Sequence, residues 1–297
     1  MRGAFLDAVA SRAVLSDGGM GTMLTTGDGA APAGSYRVPE ELNLSDPDRV
    51  LAIHRAYVTA GAEVIQTNSF GASSLRLAAA GLAAQAATLS RREAELARTA
   101  AGTDVWVAGA MGPVGSFLEP LGDLTEAAAS EAFGAQAAAL AAGGADLLLV
   151  ETMADPQEAA IAVAAARQRT QLPVVCTFAF DTQQRTLMGT TPEQAAKETL
   201  AAGADVVGVN CGDAPEFVIQ AIQRMRDACP DALLAAQPNA GLPHVQNGTT
   251  VVYDVGPAAL AAYAERFVAA GVRLVGSCCG STPAYTAALG ATLRDQT

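Results

Sequence analysis

Histidine is scarce in this 297-residue sequence, which has only His54 and His244. Imidazole is the usual proton carrier near neutral pH, and these two are not placed as a catalytic pair. His54 falls on a helix face in Val50–Arg55 and reads as structural. Basic residues are also short, 18 Lys and Arg against 30 Asp and Glu, for a net charge of −12. Such a chain has no electrostatic footprint for nucleic acid or an anionic membrane surface. Aromatic residues make up 5% of the chain and include one tryptophan, Trp106. The N-terminal segment Met1–Asp7 lacks an apolar signal region. The longest apolar stretch, around Leu140–Val150, is too short and is broken by Gly143, Gly144 and Asp146, so no span of a bilayer is expected. A cytoplasmic location follows as an expectation. Phosphate and dinucleotide fingerprints are missing as well, because Gly109–Gly115 is glycine-rich but wrongly spaced.

What the chain does have is apolar mass, 51% of its residues, and a repeated pattern. Four segments run from a helix end with glycine through a polar residue into a short apolar strand. They are Gly61–Asn68, Gly144–Glu151, Gly203–Cys211 and Gly271–Cys279. The glycines suit helix C-caps, and the apolar runs suit strands buried on both faces. Each gap holds about two βα units of roughly 30 residues each. Four more strands fit between, at Ala13–Asp17, Val105–Ala110, Pro173–Phe180 and Ala232–Asn239. Eight strands predict an α/β fold, a single (β/α)₈ TIM-type barrel over residues 1–297, with a doubly wound open sheet as the alternative. Aligning the repeats places Asn68, Glu151, Asn210 and Cys278 at similar height near the carboxyl ends of alternate strands, the face where barrels carry their chemistry.

Five cysteines, an odd number in a chain without a secretion signal, argue against a disulfide framework. Cys211, Cys278 and Cys279 fall at the expected rim. Zinc accepts such thiolates in a tetrahedral set that can keep one position open. A vicinal disulfide or a packed pair remains open at this point. Adjacent cysteines cannot both face inward from a regular strand, but the glycines flanking Cys278–Cys279 let the backbone bend. Cys176 reads as core and Cys229 as a loop thiol. Ser16–Thr22 closes the first strand with a glycine-rich turn around Gly18 and Gly19, either a plain tight turn or a nest of N–H groups for a carboxylate. Asp17 and Glu151 could then pair with an ammonium, or simply cap their loops.

Several of these stretches together resemble the homocysteine S-methyltransferase family, from about Val14 to Leu293. They are Asp17–Thr22, Glu41–Leu44, Val64–Ala72, Gly112–Pro113, Glu151–Thr152, Gly189–Thr190, Val209–Cys211, Pro238–Gly241 and Ser277–Pro283. The second half is most similar to the homocysteine-binding module of cobalamin-dependent methionine synthase, in Gln237–Gly241 and Asn247–Gly248. The resemblance implies Zn²⁺ on Cys211, Cys278 and Cys279, with homocysteine thiolate as the fourth ligand. It implies Asp17 and Glu151 at the substrate amino group and Gly18 and Gly19 near its carboxylate. Asn239 matches a residue that can hold the fourth zinc position before substrate enters. Ser277 stands where the family has glycine, and Gln237 where it often has an acid. The methyl donor is expected to be methylcobalamin on a separate corrinoid protein, because Thr152 stands where the betaine-using branch tends to carry tyrosine. A small onium donor, such as betaine, dimethylsulfoniopropionate or S-methylmethionine, is the alternative. A non-catalytic zinc and thiol binder is the reading from another class.

Overall fold

In the computed structural model, residues 3–26, 30–31, 34–212, 214–246 and 250–294 are described. Ten strands occur among them. The first five are β1 (Val14–Leu15), β2 (Val64–Gln66), β3 (Trp106–Met111), β4 (Leu147–Met153) and β5 (Val174–Phe178). They are followed by β6 (Val206–Cys211), β7 (Leu233–Pro238), β8 (Pro243–Gln246), β9 (Thr250–Tyr253) and β10 (Val272–Val275). Eight are parallel neighbours in the order β1-β10-β7-β6-β5-β4-β3-β2. The ring closes where Ser16 bridges Val64, with Asp17 N–H on Val64 O at 3.0 Å and Glu63 N–H on Leu15 O at 2.8 Å. This is the α/β barrel expected from the repeats, and the open sheet is excluded. β8 and β9 form a separate antiparallel hairpin, which the reading of eight evenly spaced strands left out. Asn247–Gly248 lies outside the described residues.

The repeats have a physical basis. Gly61, Gly144, Gly203 and Gly271 all have φ between 87° and 107°, a left-handed region that glycine enters without a Cβ penalty. In the first three, the acid that follows ties strands together at the bottom of the barrel. Glu63 accepts Leu15 N–H at 3.1 Å and pairs with Arg12. Asp146 accepts Val107 N–H at 2.8 Å and pairs with Arg98. Asp205 accepts Val174 N–H at 2.8 Å and pairs with Arg167. Several helices open with proline and a capping acid or hydroxyl, as at Asp46–Pro47, Asp155–Pro156 and Thr191–Pro192. Each such cap contributes about 1 kcal/mol.

Strand alternation sorts side chains into two sets. Val64, Trp106, Ala108, Leu147, Leu149, Val175, Val206, Ala235 and Leu274 form an inner cluster, sealed from below by Phe5 and Val9 of the helix Phe5–Ser11. Their strand neighbours Val107, Leu148, Val174, Cys176, Val207 and Leu234 belong to the outer cluster beneath the helices. Cys176 is therefore core, as expected. Continued upward, the inward rows reach Ser16, Gln66, Glu151, Thr177, Asn210 and Gln237, so an apolar barrel ends in a polar top layer. Among the described residues, no helix is long and apolar enough to cross a membrane.

Candidate metal centre

Cys211 ends β6 with φ 55°, and Gly212 follows at φ 77°. The left-handed turn swings a side chain that alternation would send outward back over the barrel mouth. Cys278 and Cys279 lie past the end of β10, in a turn completed by Gly280 at φ 81°. Backbone bonds hold this turn against its neighbours: Cys278 N–H donates to Pro238 O at 2.8 Å, and Ala240 N–H donates to Cys279 O at 2.9 Å. The three sulfurs lie within 4.8 Å of one another. Cys211 and Cys278 Sγ are 2.9 Å apart, and Cys278 and Cys279 Sγ 4.0 Å. All five cysteines are free, with the Cys278 and Cys279 sulfurs farther apart than a disulfide bond. Sulfurs about 2.3 Å from one tetrahedral zinc lie about 3.8 Å apart, inside the spread seen here. Three thiols of this spacing fit a soft divalent cation.

Asp17 is buried, and its carboxylate accepts Gln66 N–H at 2.8 Å and Gln66 Nε2 at 2.9 Å. Burial pushes its pKa up to about 7, against the pull of those hydrogen bonds and of His54. Burial also raises Glu151, to about 8, helped by the negative charge of Asp17 and of Cys279. Hydrogen bonds from Cys211 and Cys278 hold the Cys279 thiol down to about 3. Cys278 is pushed well above the usual thiol range by its contacts with Cys211 and Cys279. Two carboxyls and three thiols therefore share one rim, and among the described residues neither carboxyl has an ion-pair partner. The chemistry of such a rim favours cations: a metal, an ammonium, or both.

The other expected residues are placed as follows. A side chain on Gly18 would strike Ser281 and Ser277, and one on Gly19 would strike Thr22 and the Cys278 carbonyl. These glycines let the first turn press against the cysteine turn. The Gly19 N–H is occupied by Ser281 Oγ at 3.0 Å, which leaves less of a nest than the turn suggested. Asn239 donates to Gly212 O at 2.9 Å and accepts Cys279 N–H at 3.0 Å, bridging the two cysteine-bearing segments. Ser277 tucks beneath Gly18, and its hydroxyl has no hydrogen-bond partner among the described residues. Gln237 is buried and donates to Ser16 Oγ at 3.2 Å. Asn68 does not join the cysteine rim; its amide binds Pro39 O at 2.8 Å and Asn43 Oδ1 at 2.9 Å. His54 is fully buried 2.5 Å from Glu93 Oε1, and His244 pairs with Asp254 on the exposed hairpin. Cys229 caps the helix Pro215–Ala228, as a loop thiol should.

Two site residues escaped the sequence reading. Tyr253, at the end of β9, lays its ring on Gly280, and burial and the negative charge of Cys279, Cys278 and Cys211 raise its pKa. The Asn-Gly pair at 247–248, between valine-rich flanks, was a hairpin signal that could have located it. Asn210 stood in the expected rim without a role. Its amide has Glu151 Oε2 at 3.4 Å and the Cys211 and Cys278 sulfurs at 3.6 and 3.9 Å.

A barrel with three thiols and two acids at its carboxyl-end mouth carries the donor atoms that a metal ion and an ammonium group would need. Comparison with known proteins narrows the class of protein. The family model for homocysteine S-methyltransferase matches residues 14–293, and the chain belongs to that family. It is 31% identical over 293 residues to methionine synthase of Mycobacterium tuberculosis (strain ATCC 25618 / H37Rv), covering 94% of this chain and 24% of that protein. Methionine synthase of Mycobacterium leprae (strain TN) matches at the same identity and coverage. The chain thus spans about a quarter of the length of these curated relatives. The fold is also similar to the homocysteine methyltransferase MmuM from Escherichia coli. The oxidized form gives TM-score 0.76 at 27% identity, covering 96% of this chain and 98% of that one. The metallated form gives 0.75 at 26%, covering 94% and 96%.

Proposed function

We propose that this protein is a cytoplasmic, single-domain zinc-dependent methyltransferase that moves a methyl group onto the sulfur of homocysteine to give methionine. The observation that carries the reading is the cluster of three free thiols beside the buried Asp17 and the half-buried Glu151, which have no ion-pair partner among the described residues. Cys211, Cys278 and Cys279 are the residues that would hold the zinc. The metallated form of the similar MmuM, and the methionine synthase relatives, support metal and acceptor alike. Bound zinc supplies the positive charge that keeps an acceptor thiol ionised near neutral pH.

The rest is done by side chains of this chain. Asp17 and Glu151 bind the acceptor's ammonium, whose charge relieves their mutual repulsion and favours their ionised forms. The turn at Gly18 and Gly19 closes the carboxylate end. Asn239 fixes Cys279 relative to the Cys211 segment. Neither carboxyl has to remove a proton from the acceptor, which agrees with the shortage of histidine near the rim.

For the donor we favour a methylated corrinoid protein acting in trans. Thr152 beside Glu151 is small, and Trp106 sits at the opposite end of the barrel, edge-on to Phe5 at 5.9 Å. Exposed apolar side chains on the loops above the strands, such as Phe117 at 55% and Leu187 at 85%, suit a macromolecular donor. A second reading, a small onium donor, is favoured by Tyr253, whose ring could face a methylated cation. Two measurements test the proposal: metal content of freshly reduced protein, and methionine formation from homocysteine. The donors are a methylated corrinoid protein, free methylcobalamin, betaine, dimethylsulfoniopropionate and S-methylmethionine. One zinc per chain with turnover on the methylated corrinoid is expected. Turnover only with an onium compound would replace the donor, zinc without turnover would leave a thiol-binding barrel, and no stoichiometric metal would overturn the proposal.

A further inference from the structure

We propose that Asn210 is a positioning residue that locks Glu151 and the cysteine rim into one rigid unit by gripping a strained corner at Thr152. The part of this inference that concerns homocysteine and zinc rests on the function proposed above; the grip itself does not.

Thr152 has φ 58°. A β-branched residue pays more than most for the left-handed region, and such strain persists only where the surroundings over-determine it. The pairing of β4 with β5 shifts register between Val150 and Met153, so Glu151 and Thr152 form an irregularity in the strand. Irregularities of this kind re-aim side chains beside functional sites. Asn210 holds the corner at two points. Its Oδ1 accepts Thr152 N–H at 2.8 Å, and its Nδ2 donates to Thr152 Oγ1 at 2.7 Å.

The orientation of the amide is fixed as well. Oδ1 also accepts the Thr177 hydroxyl at 2.8 Å. A flipped amide would set Nδ2 against the Thr152 N–H, a donor facing a donor. The NH₂ group must therefore face the polar rim, where it meets Glu151 Oε2 and the sulfurs of Cys211 and Cys278. Asn210 has no exposed surface, so water cannot replace these contacts. It also immediately precedes Cys211, which is itself held at φ 55°. One neutral side chain thus joins the proposed ammonium acceptor to two of the three thiols. With one amide hydrogen on Thr152 Oγ1, it presents the other to a rim that otherwise gathers negative charge.

A residue that only filled buried hydrogen-bonding needs would be replaced well by its isostere. Asn210→Asp keeps an acceptor for Thr152 N–H and for Thr177, but it puts a carboxylate oxygen where the donors stood. Asn210→Ala removes both halves. The first measurement is amide hydrogen exchange at Thr152 in the metal-free proteins. Protection is expected in wild type and Asn210→Asp and is expected to be lost in Asn210→Ala. The second is homocysteine binding to the zinc-loaded proteins by calorimetry, with zinc affinity taken from chelator competition. Both variants should bind homocysteine at least ~10-fold more weakly. Asn210→Ala should also lose about 10- to 100-fold in zinc affinity, the range for outer partners of metal ligands. A protected Thr152 amide in Asn210→Ala, or wild-type homocysteine affinity in Asn210→Asp, would overturn the proposal. If Asn210→Ala does not fold, the homocysteine affinity of Asn210→Asp decides. Wild type that takes up neither zinc nor homocysteine would refute the proposed function, and the exchange result alone would then decide whether the grip exists.

Discussion

The two ends of the barrel are built from the same inward-facing rows yet have opposite chemistry. At the lower end, Val64, Trp106, Leu147, Val175, Val206 and Leu274 pack against Phe5 and Val9. At the upper end, the rows continue into Gln66, Glu151, Thr177 and Asn210, beneath three thiols. The lower end is held by apolar contact and by the ties of Glu63, Asp146 and Asp205, and none of its non-glycine strand residues is left-handed. The upper end holds acids raised by burial and three non-glycine residues, Thr152, Gln184 and Cys211, in left-handed conformations. Stability thus resides at one end, and strain with uncompensated charge at the other. Substitutions at the two ends should therefore separate folding from ligand binding.

The largest expected effect is at the rim. Cys278→Ser replaces a thiolate with a hydroxyl that does not ionise near neutral pH, and zinc content should fall from one per chain to a small fraction. Cys176→Ser and Cys229→Ser, which lie away from the rim, should keep the metal. Metal analysis of the three purified proteins checks this, and full zinc in Cys278→Ser would remove the distinction between the two groups of cysteines.

At the other end, Trp106→Ala should destabilise the fold by about 3–5 kcal/mol, the cost of deleting a large buried aromatic. Homocysteine affinity of the folded fraction should stay within about twofold of wild type. Denaturant unfolding and calorimetry on one preparation would measure both. A large loss of affinity would mean that the lower end is not independent of the rim.

Glu151→Gln should weaken homocysteine binding by roughly 2–4 kcal/mol, the scale for one partner of a buried charged hydrogen bond, with zinc content unchanged. If binding stayed normal while turnover fell in a pH-dependent way, Glu151 would be acting as a base.

The strands and their inward rows were legible because a glycine cap, a charged residue (acidic in three repeats, Arg273 in the fourth) and an apolar run recur four times, and each part has a local physical cause. The three cysteines were legible because their glycine neighbours marked them as sitting off a regular strand. Less visible was what depends on backbone conformation at a single residue. Nothing in Glu151–Thr152 announces a left-handed threonine, so the grip of Asn210 on it could not be read. Asn68 shows the converse. Its place in the repeat matches that of Asn210, but the short helical segment carrying Pro39 and Asn43 captures its amide first. Tyr253 was missed because the hairpin that carries it interrupts the alternation of strand and helix.

The smallest expected effect concerns protons, and it sharpens the contrast by showing that the upper end is short of positive charge. Asp17 is raised from 3.8 to about 7 by burial, so the folded metal-free protein keeps a proton that the unfolded chain releases. The stability linked to that proton is full below pH 3.8 and is lost as pH rises toward 7, by at most about 1.4 kcal/mol per pH unit. Glu151 has the same sign over a higher window, ending near 8. Cys279, held down to about 3, has the opposite sign. The total slope therefore mixes opposing contributions, and the informative quantity is a difference between two proteins. Asp17→Asn removes one of these contributions and, by taking away the charge that helps raise Glu151, shrinks a second of the same sign. Unfolding free energies of metal-free wild type and Asp17→Asn, measured at pH 5, 6 and 7, should diverge with rising pH in favour of the variant. Zinc and homocysteine should shrink that divergence, because their positive charges favour the ionised carboxylate in the folded state. Parallel pH profiles for the two metal-free proteins would show that Asp17 ionises normally in its buried place, and that the rim does not need an added cation.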